Sequence, residues 1–295
     1  MKQTKVNKNK INLKVNDGAM AFTLLIILYV LLSFIVSALL QVITIREPLK
    51  SILFSLVSPF AITIVLLGYR NKNSASFYKS LNLSKTKPTF FINAVILAIS
   101  VLLAFGTLNE LVAKLILKLG GRVLTSGVPT GKIWYYIVFL FVICILPAVL
   151  EELFFRGLML SSLNGCSKVA SVLTVSLAFA LYHANATQLV YQFIYGVILC
   201  LLTLGARSVI PAIITHFLNN FIVLSVNHFE IKLNLNSWWL ILIGAFLTAL
   251  SIFYLINKIK PSSEKKESVK AFYFPYALLG IVVCLTLIVT GVVSW

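Results

Sequence analysis

The chain alternates long apolar runs with short polar gaps, and the runs have the length needed to cross a lipid bilayer. One crossing takes about 20 apolar residues, because the hydrocarbon core is about 30 Å thick and an α-helix rises about 1.5 Å per residue. Nine runs are of this order: Ala19–Ile45, Ser51–Tyr69, Thr89–Leu108, Ile133–Leu163, Lys168–Ala186, Leu189–Leu204, Val209–Val226, Trp238–Asn257 and Phe272–Val293. The pattern predicts an all-α, polytopic transmembrane helix bundle of about 8–9 spans.

Composition agrees with a membrane protein and changes the meaning of the charge. Hydrophobic residues make up 60% of the chain and charged residues 11%, whereas soluble domains have about 45–50% and about 25%. A net charge of +17 would suggest nucleic acid in a soluble chain. Here the basic residues fall between the apolar runs, where they orient helices and meet anionic lipid headgroups. We therefore expect the lipid bilayer, and no nucleic acid, as the partner of this charge.

The distribution of basic residues predicts which side each gap faces. The tail 1–18 and the gaps 70–88 and 258–270 each hold five lysines or arginines. Nine crossings put all three on one side, which the positive-inside rule assigns to the cytoplasm. We expect a multi-pass protein of the cell membrane with a cytoplasmic N-terminus. The first apolar run is about twice the length of a signal-peptide core, so we expect an uncleaved anchor.

One connection departs from this charge pattern. Segment 109–132 would lie outside, yet it holds four basic residues. Its apolar positions Leu111, Leu115, Ile116 and Leu119 recur at helical spacing. This spacing predicts an amphipathic helix in the membrane interface.

Two carboxylates and a guanidinium interrupt the fourth apolar run. A charged group at membrane depth costs about 3 kcal/mol or more, and such groups usually serve a function. Glu152 and Arg156 are four residues apart, with the acid first, which is the favoured order for an ion pair on one helix face. Glu151 is rotated by about 100° and has no helical partner. We predict a structural ion pair of Glu152 and Arg156 and a Glu151 free for chemistry.

Two histidines lie in later apolar runs. His183 is near the end of the fifth run, and His216 lies in the seventh, where it shares a helix face with Asn220 four residues on. A lone histidine on an apolar helix is more often a core residue than a catalyst. Together with the carboxylate pair, however, the set predicts a polar site. We expect Glu151, His183, His216 and Asn220 to converge from three helices around a cavity for one water.

The chemistry of this set allows two interpretations. A glutamate and a histidine acting on one water can remove its proton, while an asparagine and a second histidine donate to an oxyanion. Glu151, His183 and His216 also suit one divalent metal, zinc. The residues leave both open. The chain has no His-Glu-x-x-His motif and no Gly-x-Ser-x-Gly motif, so a covalent serine mechanism lacks support.

Three motifs resemble a known family. Segment Pro147–Gly157 contains Glu-Glu-x-x-x-Arg, Phe179–His183 reads Phe-x-x-x-His, and His216–Asn220 reads His-x-x-x-Asn. Their order and separations are similar to those of the CPBP family of intramembrane proteases, which includes CAAX prenyl endopeptidases and the bacteriocin-processing (Abi) proteins. The resemblance covers roughly residues 133–225.

The resemblance implies a role for each residue. Glu151 would be the general base, His183 its partner on the water, and His216 with Asn220 would bind the oxyanion. The implied reaction is hydrolysis of a peptide bond in a membrane-tethered peptide or CaaX-like substrate. Family members are described as metal-dependent or as glutamate-type, so a zinc ion held by Glu151, His183 and His216 stays open.

These motifs divide the chain and leave two other functions to weigh. We expect a basic tail at 1–18, transmembrane helices with an interfacial segment at 19–132, a catalytic core at 133–226 and C-terminal transmembrane helices at 227–295. A proton-coupled transporter would use the same acids and histidines as a relay, but it predicts repeat symmetry that the sequence lacks. A non-catalytic scaffold would keep its function with Gln in place of Glu151.

Overall fold

The computed structural model describes residues 13–72, 74–123, 131–232, 237–259, 268–272 and 276–292, and these contain helices and no strand. The helices are α1 (Val15–Val42), α2 (Leu49–Lys72), α3 (Ser74–Ser80), α4 (Pro88–Phe105), α5 (Leu108–Lys118), α6 (Ile133–Ser162), α7 (Lys168–Tyr182), α8 (Leu189–Ala206), α9 (Ile210–His228), α10 (Trp238–Ile256), α11 (Lys270–Phe272) and α12 (Leu278–Val292). The predicted all-α class is confirmed. Most of the predicted basic tail and part of the 258–270 gap lie outside the described residues.

Seven helical stretches in the described part are long and apolar enough to cross a membrane. They are α1, α2, α4 together with α5, α6, α8, α9 and α10. The helices α7 and α12 are apolar but shorter. The prediction extended the fifth run to Ala186, but α7 ends at Tyr182 because the chain turns at Ala184, which has a left-handed φ of 46°. The polytopic membrane architecture is confirmed.

The helix α5 occupies the segment for which the sequence predicted an interfacial helix. None of its residues is buried. Glu110 and Lys114 form an ion pair of 2.7 Å on its surface, and both side chains are more than half exposed. An amphipathic helix with no buried side chain is consistent with a position at the membrane surface.

The helices α4 and α10 pack closely through small residues. A Cβ on Gly244 of α10 would lie 2.7 Å from both the Ser100 carbonyl oxygen and the Ala104 nitrogen of α4. Beside this contact, Thr248 Oγ1 donates a hydrogen bond of 2.9 Å to Ser100 Oγ. Small residues let transmembrane helices approach in this way. The other side of α4 supports α9, where Thr215 Oγ1 donates to the Ala94 carbonyl at 3.2 Å.

The helix α6 is not one regular α-helix, which the sequence reading did not predict. Two π-helical segments, Leu140–Ile145 and Leu153–Met159, flank the α-helical segment Leu146–Glu152. Pro147 has no N–H, so it cannot donate to the Ile143 carbonyl as an α-helix requires. Such wide turns are rare and often mark functional sites. The carboxylate pair lies at the end of the α-helical segment, and α6 continues beyond it, so the pair lies within the bundle.

Replacing Gly244 with Ala should destabilise the bundle, because the added methyl group would collide with the α4 backbone. Overpacking of this kind costs about 1–3 kcal/mol. Thermal melting in detergent should show a lower midpoint for Gly244→Ala. Gly68→Ala is the matched control, because a Cβ on Gly68 in α2 meets nothing within 4 Å. An equal loss in both variants would contradict the close α4–α10 contact.

Candidate functional site

Glu152 is the centre of the buried polar groups. Its Oε1 accepts a hydrogen bond of 2.7 Å from Arg156 Nη1 and one of 2.9 Å from His216 Nδ1. The side chains of Glu152 and Arg156 are both 0% exposed. Arg156 Nη2 also donates to the Gly196 carbonyl at 3.4 Å. One carboxylate and one guanidinium therefore connect α6 with α8 and α9.

The position of Arg156 depends on a close contact between α7 and α8. A Cβ on Gly196 would lie 3.1 Å from the Ser176 Cα and Cβ atoms, so a glycine allows the two helices to meet here. The Arg156 guanidinium carbon lies 4.3 Å from the centre of the Phe179 ring, in cation–π contact. Arg156 is thus held by a carboxylate, a backbone carbonyl and an aromatic face.

Glu151 differs from its neighbour in its bonding. The residue is only 6% exposed, yet its Oε2 has no hydrogen-bond partner among the described residues. It interacts electrostatically with His216, Glu152 and Arg156. Glu152 Oε2 also has no partner among the described residues, but Glu152 Oε1 accepts two hydrogen bonds, whereas Glu151 accepts none from them. Glu151 is therefore the carboxylate that is available to another molecule.

His183 ends α7 in a fixed orientation. Its Nδ1 lies 2.8 Å from the Phe179 carbonyl oxygen. A carbonyl can only accept, so Nδ1 carries the hydrogen, and Nε2 of the neutral ring keeps its lone pair. The ring also packs against Phe179, with centres 4.7 Å apart. The Phe-x-x-x-His motif has a physical basis here, because the same phenylalanine contacts Arg156 and orients His183.

His216 is buried at the site, and its bonding limits what it can donate. Its Nδ1 faces the Glu152 carboxylate, an acceptor, so Nδ1 carries a hydrogen and Nε2 is left free. Nε2 can donate only when the ring is protonated at both nitrogens. His216 interacts electrostatically with both Glu151 and His183. The helices α6, α7 and α9 therefore bring these three side chains to one region.

Asn220 belongs to a hydrogen-bonded series that sequence reasoning missed. Its Nδ2 donates to the Ile143 carbonyl at 3.1 Å, at the π-helical segment before Pro147. Its Oδ1 accepts from Asn219 Nδ2 at 3.3 Å, and Asn219 Oδ1 accepts from the Tyr191 hydroxyl at 2.6 Å. Two features of the sequence bear on this series: Asn219 is adjacent to the motif residue Asn220, and Pro147 removes the α-helical donor to the Ile143 carbonyl. Neither feature points to Tyr191.

Comparison with known proteins shows that the part of the chain that carries the site is similar to one family. Residues 133–222 match the family model described as type II CAAX prenyl endopeptidase Rce1-like. We call residues 133–222 the Rce1-like core, after the family model that they match. The match covers less than a third of the chain and confirms the resemblance to the CPBP family. It covers α6, α7, α8 and most of α9. No curated protein and no solved structure matches the chain significantly.

The sequence left open a zinc ion held by Glu151, His183 and His216. Among the described residues, no three histidine, cysteine, aspartate or glutamate side chains are grouped to hold an ion. The Nδ1 bonds of His216 and His183 leave Nε2 of each ring available, which is also how metal-binding histidines are held, so the zinc alternative stays a prediction. Because the three side chains are not grouped around one ion position, the reaction proposed for this site uses no metal.

Replacing Glu152 with Gln should destabilise the Rce1-like core. The amide would leave the buried Arg156 without a charge partner, and breaking a buried pair costs about 3–5 kcal/mol. Thermal melting in detergent should show a large drop in the midpoint. Glu110→Gln is the matched control, since it breaks an exposed pair at the same spacing, for which the expected cost is about 1 kcal/mol or less. Equal melting of both variants would show that the buried pair does not stabilise the fold.

Proposed function

We propose that this chain is an intramembrane endopeptidase that uses Glu151 to activate water against a peptide bond. One observation carries the proposal. Glu151 is buried beside a carboxylate that accepts hydrogen bonds from Arg156 and His216 through one oxygen, yet Glu151 accepts no hydrogen bond from the described residues at either oxygen. A buried polar atom without a partner carries a free-energy penalty unless another group occupies the space. A water held for reaction meets that requirement.

In the proposed reaction, Glu151 removes one proton from the water as its oxygen attacks the peptide carbonyl carbon. His183 Nε2 accepts a hydrogen bond from the other hydrogen and orients the water. The carbonyl carbon becomes tetrahedral and its oxygen carries the negative charge. The C–N bond then breaks, and the proton on Glu151 passes to the leaving amine. Carboxylic acid and amine are the products, and the enzyme is regenerated.

The developing oxyanion needs donors in a region of low dielectric, where they act most strongly. The second N–H of the Asn220 amide is one such donor. His216 is the other, through a hydrogen on Nε2, because its Nδ1–H is already given to Glu152.

The substrate class follows from where the site lies. The reactive groups are enclosed by helices whose outer faces carry exposed large apolar residues, such as Phe34 and Phe246. A peptide held in the membrane by a lipid or a hydrophobic tail can reach such a site by lateral movement. We therefore propose a membrane-tethered substrate such as a prenylated CaaX peptide, with a bacteriocin-like peptide as the alternative.

The proposed orientation places the basic end of the bundle in the cytoplasm. Thr86 Oγ1 donates to the Ala206 carbonyl, and the Val209 N–H donates to the Asn82 carbonyl. The basic 70–88 gap therefore lies against the α8–α9 turn, at one end of the bundle. The positive-inside rule assigns that end to the cytoplasm of the cell membrane.

Replacing Glu151 with Gln should abolish cleavage and leave the protein folded, because the amide has nearly the same shape but cannot take a proton. Loss of a general base typically costs about 10²–10⁴-fold in rate. The measurement is mass spectrometry of a prenylated peptide incubated with proteoliposomes containing each variant. Glu110→Gln is the matched control and should keep full activity. Full turnover by folded Glu151→Gln would show a different base or a scaffold.

The rate of cleavage should fall on acidification. Protons taken up by Glu151 and His183 remove both acceptors for the water. The profile should be measured after exhaustive dialysis against a chelator, so that protonation of metal ligands does not contribute. Loss of activity on dialysis, restored by added zinc, would contradict the metal-free reaction.

A further inference from the structure

A directed series of hydrogen bonds leads from α8 to the amide of Asn220. The Tyr191 hydroxyl donates to Asn219 Oδ1 at 2.6 Å, Asn219 Nδ2 donates to Asn220 Oδ1 at 3.3 Å, and Asn220 Nδ2 donates to the Ile143 carbonyl at 3.1 Å. Tyr191 is 5% exposed and Asn219 is 6% exposed. Water therefore has little access to replace the bond between them.

The direction of this series is determined at its end. The Ile143 carbonyl can only accept, so the NH₂ group of Asn220 must face it and the Asn220 oxygen must face Asn219. Asn219 then has to present its own NH₂ group, which turns its oxygen toward Tyr191. The tyrosine hydroxyl supplies the matching donor. Rotating the Asn220 amide by 180° would place its oxygen against the Ile143 carbonyl oxygen. Rotating the Asn219 amide would place its oxygen against the Asn220 oxygen.

The end of the series lies in the irregular part of α6. Pro147 cannot donate to the Ile143 carbonyl, so the α-helical partner of that oxygen is missing. The Asn220 amide provides a donor there. Asn220 is therefore held from one side by α6 and from the other by Tyr191 through Asn219. One N–H of its amide is used, and the second remains.

We propose that Tyr191 and Asn219 are positioning residues, which hold the Asn220 amide so that its second N–H points at the oxyanion. This inference rests on the proposed function, because it assigns a purpose to the orientation of a residue in that site. Tyr191 touches no reacting atom in the proposed reaction. It acts through Asn219 and Asn220, and its removal changes the rate of the chemical step rather than the binding of the peptide.

Tyr191→Phe is the sharpest test, because it removes one hydroxyl and keeps the ring. The Tyr191 ring stacks on the Tyr195 ring, with centres 5.8 Å apart and planes at 22°, and phenylalanine preserves this contact. Loss of an oxyanion donor costs about 10²–10³-fold in kcat. A donor that is only misoriented loses part of this, so we expect kcat to fall about 10-fold with KM unchanged. Asn219→Ala should show the same split.

A double-mutant cycle separates positioning from general loosening. Asn220→Ala should lower kcat on its own, and adding Tyr191→Phe to it should cause no further fall, because residues that act through one another are not additive. Thr248→Val is the matched control. It also removes a buried hydroxyl that links two helices, in this case α10 and α4, and should leave kcat unchanged.

Three results would overturn this inference while the wild type remains active. They are an unchanged kcat in folded Tyr191→Phe, an equal further fall when Tyr191→Phe is added to Asn220→Ala, and an equal loss in Thr248→Val. A wild-type protein that cleaves no prenylated or bacteriocin-like peptide would instead overturn the proposed function, and this inference with it. The inference is supported if Tyr191→Phe lowers kcat when Asn220 is present and causes no further fall in Asn220→Ala.

Discussion

A buried carboxylate that accepts hydrogen bonds from both a guanidinium and an imidazole is the interaction on which the rest of this molecule depends. Glu152 and Arg156 are excluded from solvent, and each charge alone would be costly at this depth. Together they join α6 to α9 through His216 and to α8 through the Gly196 carbonyl. The helices of the Rce1-like core pack around this pair because neither charge can be buried without its partner.

The pairing of Glu152 also determines what its neighbour can do. Because Arg156 and His216 both bond to Glu152, the adjacent Glu151 accepts no hydrogen bond from the described residues. Adjacent residues on a helix point in different directions. A carboxylate pair in sequence therefore provides two functions in space, one that stabilises the helices and one that faces the reacting water in the proposed reaction.

The sequence could predict the helices and the ion pair because both depend on local spacing. Runs of about 20 apolar residues follow from membrane thickness, and Glu152 meets Arg156 because the two lie one turn apart. The π-helical segments of α6 were missed, since a helix that is apolar on every face has no periodic pattern in which a change from α to π could be seen. Pro147 was the only local sign of them.

Contacts between distant helices were beyond the sequence reading. Both His216 and Asn220 were recognised, but the bond from His216 to Glu152 depends on the approach of α9 to α6. Tyr191 was not distinguished from the other tyrosines, because its role depends on the position of Asn219 across the α8–α9 contact. The zinc hypothesis rests on residue types alone and stays a prediction.

Chemical rescue by formate tests the division of work between the two carboxylates most directly. In Glu151→Ala a small carboxylate can enter the vacated space and take the proton from water. In Glu152→Ala formate is not attached to α6, so it cannot restore the link that the Glu152 side chain makes from this helix to His216. The account predicts that formate restores part of the cleavage by Glu151→Ala and none by Glu152→Ala. Rescue of Glu152→Ala alone, or full activity of Glu151→Ala without formate, would contradict it.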